Sequence, residues 1–324
     1  MTRVGFMFIV KTAGEIKVNS PSRLFYFTMQ DIQPGNITTD KILIPAAAGK
    51  KITVSVLRLD KIHPLLSGNK WFKLRYYLKE AKEQNKKKIV TWGGAWSNHI
   101  LATAAACQLQ DLCCTGLIRG EEAKSLSRTL VLAKESGMEL VFLSRSDYQD
   151  KKLPAAFNGE DYFTIPEGGY GFPGVKGAAT ILDFVTKEEY THICCAAGTG
   201  TMLAGLLQAS APANHITGIS VLKNNRELEK KIDALVPGQK KSFTILHDYH
   251  FGGYAKHPSE LLAFMNSFYQ ETTIPTDIVY TGKLFYAVND LIQIDFFGPG
   301  SNLLIIHSGG LQGNVSLDKG TLIF

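Results

Sequence analysis

From residue 52 onward, short β-branched or apolar runs alternate with longer segments of helical periodicity, and this alternation limits the chain to few folds. Strands that alternate with helices pair in parallel through right-handed crossovers, so we expect an α/β fold. Strands are predicted at 52–57, 88–92, 112–118, 139–143, 162–165, 192–196, 215–221 and 302–307. Helices are predicted at 70–84, 98–109, 123–136, 175–187, 202–209, 225–234, 258–270 and 283–292. The first 45 residues receive no assignment.

The bulk properties predict a globular protein with a small-molecule partner. A length of 324 residues favours two lobes, and 45% hydrophobic with 20% charged residues excludes wholesale disorder. The net charge of +6 is dispersed over the chain, and no basic stripe is interleaved with aromatic residues. We therefore expect no nucleic-acid partner, whereas a mild positive field would attract small anionic substrates.

The cysteines indicate a reducing environment. Five are present, and two adjacent pairs, Cys113–Cys114 and Cys194–Cys195, lie in strand-like runs. Neighbouring strand residues point to opposite faces, so buried thiols are favoured over disulfides or a metal site. Lys11 interrupts the apolar N-terminal run, and no stretch of about 18 apolar residues occurs. We expect a cytoplasmic protein without a membrane span.

Three glycine-bearing turns carry candidate chemistry. Lys70 lies at a turn where an amphipathic helix begins, and the turns 93–99 and 198–201 each follow an apolar strand. In open α/β sheets, ligands bind at the carboxyl ends of the strands. A lysine and a phosphate-suited turn at such ends indicate pyridoxal phosphate.

The Lys70 turn suits Schiff-base chemistry, which requires a neutral amine. Burial or nearby positive charge would lower the pKa of Lys70 from its usual value of about 10.4. Alternatively, Lys70 and Lys73 are solvated residues one helical turn apart.

The turn Gly198-Thr199-Gly200-Thr201 suits a phosphate group. Its backbone N–H groups, its hydroxyls and the start of the next helix would all favour an anion. Leu203 stands where a dinucleotide-binding G-x-G-x-x-G sequence needs its third glycine. A tight turn without a ligand is the alternative.

In the remaining turns, functional and structural interpretations compete. Ser97 is a candidate helix cap, which would leave backbone N–H groups beside Asn98 and His99 for a carboxylate, although His99 could be incidental. Tyr280 could stack on a cofactor ring or belong to the core. His307 ends an apolar strand and by itself indicates an interior histidine.

Together these segments resemble the pyridoxal-phosphate-dependent family of 1-aminocyclopropane-1-carboxylate deaminase and D-cysteine desulfhydrase, which has the tryptophan-synthase-β-like fold type II. The family's motifs are matched, in order, by Ser67-Gly68-Asn69-Lys70-Trp71-Phe72-Lys73-Leu74, Gly93–Asn98, Gly198–Thr201, Val279–Lys283 and His307–Gly310.

The resemblance implies a role for each matched residue. Lys70 would bind pyridoxal phosphate covalently, Asn98 would bind the ring hydroxyl, and Tyr280 would stack on the ring. The phosphate would lie on Gly198, Thr199, Gly200 and Thr201, and Ser308 would face the pyridine nitrogen. The substrate carboxylate would lie at Ser97, Asn98 and His99, with Ser97 or Lys70 moving protons and Tyr254 as a second active-site tyrosine.

Departures from the family pattern bear on the substrate. Ring-opening deaminases typically carry Glu after the stacking tyrosine, where this chain has Thr281. Without that carboxylate, and with a neutral Ser308, ring protonation is less favoured and the electron sink is weaker. Such a site suits elimination of a good leaving group.

We therefore expect a pyridoxal-phosphate-dependent lyase that performs α,β-elimination on D-cysteine or a similar small amino acid, releasing a 2-oxo acid, ammonia and sulfide. The alternatives are a ring-opening deaminase, a catalytically silent cofactor-binding sensor and, third, a nicotinamide-dependent dehydrogenase. The resemblance also implies a homodimer, with a large domain of residues 1–72 and 169–324 and a smaller inserted domain of residues 73–168.

Overall fold

The computed structural model describes residues 32–66, 68–238 and 242–324. Ser67, the first position of the lysine motif, and the N-terminal residues 1–31 of the predicted large domain lie outside the described residues. The described part is an α/β structure with two mostly parallel sheets, which confirms the predicted fold class.

The larger sheet has six strands in the order β1-β2-β10-β7-β8-β9, and the smaller has four in the order β5-β4-β3-β6. All neighbouring strands pair in parallel except β1 with β2. The strands are β1 Thr39–Ile42, β2 Thr53–Arg58, β3 Lys88–Gly93, β4 Cys113–Arg119, β5 Met138–Leu143, β6 Tyr162–Ile165, β7 His192–Ala197, β8 His215–Ser220, β9 Phe243–Leu246 and β10 Asn302–His307.

Helices connect the strands and cover the sheets. They are α1 Asn69–Glu83, α2 Asn98–Gln108, α3 Arg128–Glu135, α4 Arg145–Gln149, α5 Phe172–Ala179, α6 Thr201–Ala209, α7 Leu228–Leu235, α8 Ser259–Thr272 and α9 Thr281–Gln293. Within the described ranges, no helix is long and apolar enough to cross a membrane.

Two helices differ clearly from their predicted bounds. The helix predicted at 123–136 begins only at Arg128, because the Ser127 side chain caps it by accepting the Leu130 N–H at 3.2 Å. The helix predicted at 175–187 begins at Phe172 and gives way to a 3-10 turn, Thr180–Phe184. Proline near the start of a helix is favoured, and Pro173 sets this earlier start.

Helix α1 belongs to both hydrophobic cores. Phe72 is buried in the core of the six-stranded sheet, whereas Leu74 and Leu78 are buried in the core of the four-stranded sheet. Full burial of such a side chain contributes about 1.5–3 kcal/mol. The apolar residues of α1 therefore fix the start of this helix, and with it Lys70, between the two sheets.

Candidate active site

A cavity of about 870 Å³ opens between the loops that follow β3, β6, β7 and β10, the first turn of α1 and Tyr280, which precedes α9. Most of the predicted site residues line it, namely Lys70, Ser97, Asn98, His99, Gly198, Thr199, Gly200, Tyr254, Tyr280 and Ser308. Thr201 is fully buried behind the wall, with its hydroxyl 3.1 Å from that of Thr199. Residues spread over more than 200 positions are thus brought to one place.

Gly68 sets the position of Lys70. Its φ is +63°, and a Cβ added there would lie 1.8 Å from the backbone oxygen of Ser308. The neighbouring Asn69 N–H donates to that same oxygen at 3.1 Å. Only glycine permits this approach, which holds the start of α1 against the loop after β10.

The Lys70 amine is desolvated and aimed at an aromatic ring. Its Nζ donates to Asn69 Oδ1 at 2.8 Å and lies 5.5 Å from the centre of the Tyr280 ring. Burial lowers the pKa of Lys70 to about 8, although the Asp277 carboxylate opposes the shift. A larger neutral fraction at physiological pH favours covalent chemistry at this amine.

Lys73 supplies a second amine on the same face of α1. Its Nζ donates to the Gly168 carbonyl at 3.2 Å. Burial and the nearby Lys70 hold the pKa of Lys73 well below its usual value. A buried basic group that is costly to charge is well placed to receive an anion, since the anion would favour its charged form.

His99 is neutral, and its tautomer is determined by Thr91. Burial, followed by the charges of Lys70 and Lys73, lowers the pKa of His99 to about 3. The Thr91 hydroxyl donates to the Ile165 carbonyl at 2.7 Å and lies 2.8 Å from His99 Nε2, so Nε2–H must be the donor in that contact. Nδ1 therefore bears a lone pair, and it has no hydrogen-bond partner among the described residues.

Ser97 caps helix α2, as predicted. Its Oγ accepts the N–H groups of His99 at 3.2 Å and Ile100 at 3.4 Å. Both lone pairs of the hydroxyl are then used, while its proton is available to the cavity. This geometry suits a hydroxyl that donates to a carboxylate.

The turn after β7 forms a narrow slot against Tyr280. A Cβ on Gly198 would lie 3.4 Å from Tyr280 Cε1, and Gly200 has φ +84°. The Asn225 amide donates to the Gly198 carbonyl at 3.1 Å and so helps to fix the turn. The turn directly precedes α6, whose N-terminus favours an anion.

Two of the tyrosines that line the cavity, Tyr254 and Tyr280, remain protonated at physiological pH. Partial burial in the cavity wall, with Asp277 and Glu167, raises the pKa of Tyr254 to about 12. Burial first, and then Tyr254, Asp277 and Glu167, raise the pKa of Tyr280 well above its usual value. Their hydroxyls can donate hydrogen bonds but cannot serve as bases.

Asp277 is the main site-forming residue that sequence reasoning missed. Its fully buried carboxylate accepts the N–H groups of Val279, Tyr280 and Thr281 at 2.8–2.9 Å and the Thr281 hydroxyl at 2.6 Å. The signal was an acidic residue shortly before the helix predicted at 283–292, where a carboxylate can accept the unpaired N–H groups at a helix start.

Glu167, in the turn after β6, also lines the cavity and was not singled out from the sequence as a site residue. Its carboxylate accepts from the Tyr148 hydroxyl and from Lys151 Nζ, both at 2.6 Å. No sequence pattern connected these three residues, since they meet only when β6 lies beside β3.

These residues fit pyridoxal phosphate. A desolvated amine, a tyrosine ring beside it and a glycine turn at a helix start converge on one cavity. When bound, this cofactor supplies an electron sink that stabilises negative charge on the substrate Cα. Among the residues described, no cluster of three or more His, Cys, Asp or Glu side chains could hold a metal ion.

The chain matches the family model described as "Pyridoxal-phosphate dependent enzyme" over residues 33–309. A Thermotoga maritima protein with the provisional name 1-aminocyclopropane-1-carboxylate deaminase is 30% identical over 287 residues, covering 80% of this chain and 89% of its own. An Arabidopsis thaliana protein named bifunctional D-cysteine desulfhydrase/1-aminocyclopropane-1-carboxylate deaminase, mitochondrial, is 26% identical, with coverages of 76% and 70%.

Solved structures support the same fold. The crystal structure of an "ACC deaminase homologue" superimposes with a TM-score of 0.76 at 24% identity, covering 88% of this chain and 92% of that one. A tomato threonine deaminase gives a TM-score of 0.61 at 13% identity, with coverages of 88% and 81%. The chain belongs to the pyridoxal-phosphate-dependent enzymes, in the family of the 1-aminocyclopropane-1-carboxylate deaminases and D-cysteine desulfhydrases.

Proposed function

We propose that the protein is a lyase that performs α,β-elimination on D-cysteine, releasing pyruvate, ammonia and sulfide. This choice rests on the hydrogen bonds of Thr281 and Asp277. Thr281 is fully buried and donates to Asp277, whose carboxylate accepts four hydrogen bonds from residues 279–281. About four acceptor sites are all that a carboxylate offers. No acceptor is left on Asp277 for a protonated ring nitrogen.

A cofactor pyridine ring that is weakly protonated withdraws electrons less strongly. It therefore favours substrates whose reaction needs little charge delocalisation. Loss of a sulfur group from Cβ needs less charge delocalisation than opening an unactivated carbon ring. Ser308, which is neutral and lines the cavity, is the residue that we propose for the ring nitrogen.

Each site residue then has a proposed role in this reaction. The Lys70 amine would take the Cα proton, and Gly198–Thr201 with Lys73 would hold the phosphate. Ser97 would donate to the substrate carboxylate beside Asn98 and His99. Tyr254, as the second active-site tyrosine, would contact the leaving sulfur with a hydroxyl that stays protonated.

The test is product analysis with the cofactor-loaded protein. D-cysteine should give equal amounts of sulfide and pyruvate, and L-cysteine much less. Lys70→Ala should abolish turnover, whereas Lys79→Ala, an exposed lysine on the same helix, should retain it. Cofactor binding without turnover of any D- or L-amino acid would favour a sensor and reject the proposal.

Ring-opening deamination is the second candidate, because the Thermotoga and Arabidopsis relatives carry that name. Its signature is 2-oxobutanoate formed from 1-aminocyclopropane-1-carboxylate. If this rate exceeded that of sulfide release from D-cysteine, the weak-sink argument would be wrong.

We also propose a cytoplasmic homodimer with the predicted division into two domains. The five cysteines are free thiols, which supports a reducing compartment. The four-stranded sheet is built only from strands within residues 73–168, which supports the inserted domain. Light scattering tests the dimer, and a monomer at micromolar concentration would reject it.

A further inference from the structure

Lys283 is a buried cation that the proposed chemistry does not use. It lies in the first turn of α9 with no exposed surface. Its Nζ donates to two backbone carbonyls, those of His250 at 2.9 Å and Gly253 at 2.6 Å. Burial lowers the pKa of Lys283 to about 8, although Asp277 opposes the shift. Burying an amine is costly, and the two hydrogen bonds offset part of that cost. The segment that accepts them therefore indicates the role of Lys283.

The turn that Lys283 binds is conformationally unfavourable. Phe251 and Ala255 have positive φ values of 52° and 55°, and Gly252 and Gly253 have φ values of 92° and 123°. Non-glycine residues keep such φ values only where the surrounding structure enforces them. The Lys283 amine binds both ends of the His250–Gly253 segment and so supplies part of that enforcement.

The turn presents Tyr254 to the cavity. Tyr254 follows Gly253 directly, is 43% exposed, and donates from its hydroxyl to the Trp96 carbonyl at 3.2 Å. Trp96 lies in the loop between β3 and α2, which also carries Ser97 and leads directly to Asn98. One hydrogen bond thus joins the turn held by α9 to the loop of the four-stranded sheet.

We propose that Lys283 is a positioning residue that holds the His250–Gly253 turn and thereby places Tyr254 against the Trp96 loop at the cavity. It acts on the substrate only through Tyr254. Its loss should therefore loosen two segments that are distant in sequence, the turn itself and the loop 94–97.

Lys50 provides a matched control at the other end of the same helix. Its Nζ donates to the carbonyls of Ile292 at 2.7 Å and Gln293 at 2.9 Å, and to Asp295 at 2.7 Å. Lys50→Met removes a similar set of contacts from α9, but none near the cavity.

The first measurement is hydrogen exchange by mass spectrometry on the cofactor-loaded proteins, which needs no substrate. Lys283→Met should speed exchange in residues 250–256 and in residues 94–97, and Tyr254→Phe should do so in 94–97 alone. Lys50→Met should change neither segment. Faster exchange in 250–256 with an unchanged 94–97 loop would overturn the proposal.

The second measurement rests on the proposed lyase activity. Lys283→Met and Tyr254→Phe should each lower kcat/KM by about tenfold or more, since small misplacements of site groups carry such costs. The double variant should be little worse than either single one, because both remove the same placement. Additive losses would overturn the proposal, whereas absence of turnover in the wild type would count only against the lyase assignment.

If Lys283→Met does not fold, Gly253→Ala strains the turn while leaving Lys283 in place, because Gly253 has φ +123°. It should reproduce the faster exchange in residues 94–97. Unchanged exchange there would overturn the proposal.

Discussion

Replacement of Gly68 by alanine should nearly abolish activity while leaving most of the fold intact. The added Cβ would lie 1.8 Å from the oxygen, 2.3 Å from the carbon of the Ser308 carbonyl and 2.7 Å from Gly309 N. All three are backbone atoms, so no rotamer change can relieve the contact. Ordinary contact begins at 3.4 Å, so the turn must move by about 1.6 Å.

That movement would carry the adjacent Lys70 with it. A misplacement of about 1 Å in a reacting group can cost about 100-fold in rate, so we expect a loss of kcat/KM of at least that size. The positive φ of +63° adds strain of about 1 kcal/mol or more. The Asn69 N–H would also lose its bond to the Ser308 carbonyl.

The assay compares kcat/KM, cofactor absorbance and thermal midpoint for Gly68→Ala and Gly298→Ala. Gly298 has open space around its Cα and no positive φ, so its replacement should change none of the three. If Gly68→Ala kept wild-type kcat/KM, the close approach of α1 to the loop after β10 would not set the position of Lys70.

Three further predictions concern buried polar groups. The rate of pyridoxal phosphate uptake by the apoprotein should rise with pH and level off above about 8, the pKa of Lys70, instead of above about 10.4. His99 is neutral in the folded state with a pKa of about 3, so stability should fall as pH drops below about 6.5. His99→Gln should therefore flatten the dependence of urea-unfolding stability on pH by roughly 1 kcal/mol per pH unit. A slope unchanged in His99→Gln would contradict this. Asp277→Asn should lower the free energy of unfolding by about 1–3 kcal/mol, because donors of residues 279–281 would be left poorly paired. A smaller decrease in urea unfolding would argue against a stabilising role of these hydrogen bonds.

The central strands and the strand-end turns could be predicted from sequence because their signals are local. Strands β6 and β10 have the predicted bounds, since a buried parallel strand is a short apolar run. The strands β1 and β9 were not predicted. Both lie at the edges of the large sheet and are mostly half-buried or exposed, which leaves only a weak apolar pattern.

The chemistry of the site could likewise be predicted wherever only one residue type can serve. A lysine after Gly68 and the glycines around Thr199 indicated a covalent amine and a phosphate turn, because backbone approach and anion binding each restrict the sequence locally. The resemblance to a family then connected these segments.

The protonation states and the contacts across the cavity required the tertiary structure. Nothing near His99 in sequence shows that Thr91 fixes its tautomer, and nothing near Lys283 shows that it binds the turn before Tyr254. Hydrogen bonds between distant residues and the desolvation that shifts a pKa depend on which elements pack together. The sequence by itself determined the fold class and the residue types at the strand ends, and only tertiary packing decided the charge and placement of each side chain, because both follow from neighbours that are remote along the chain.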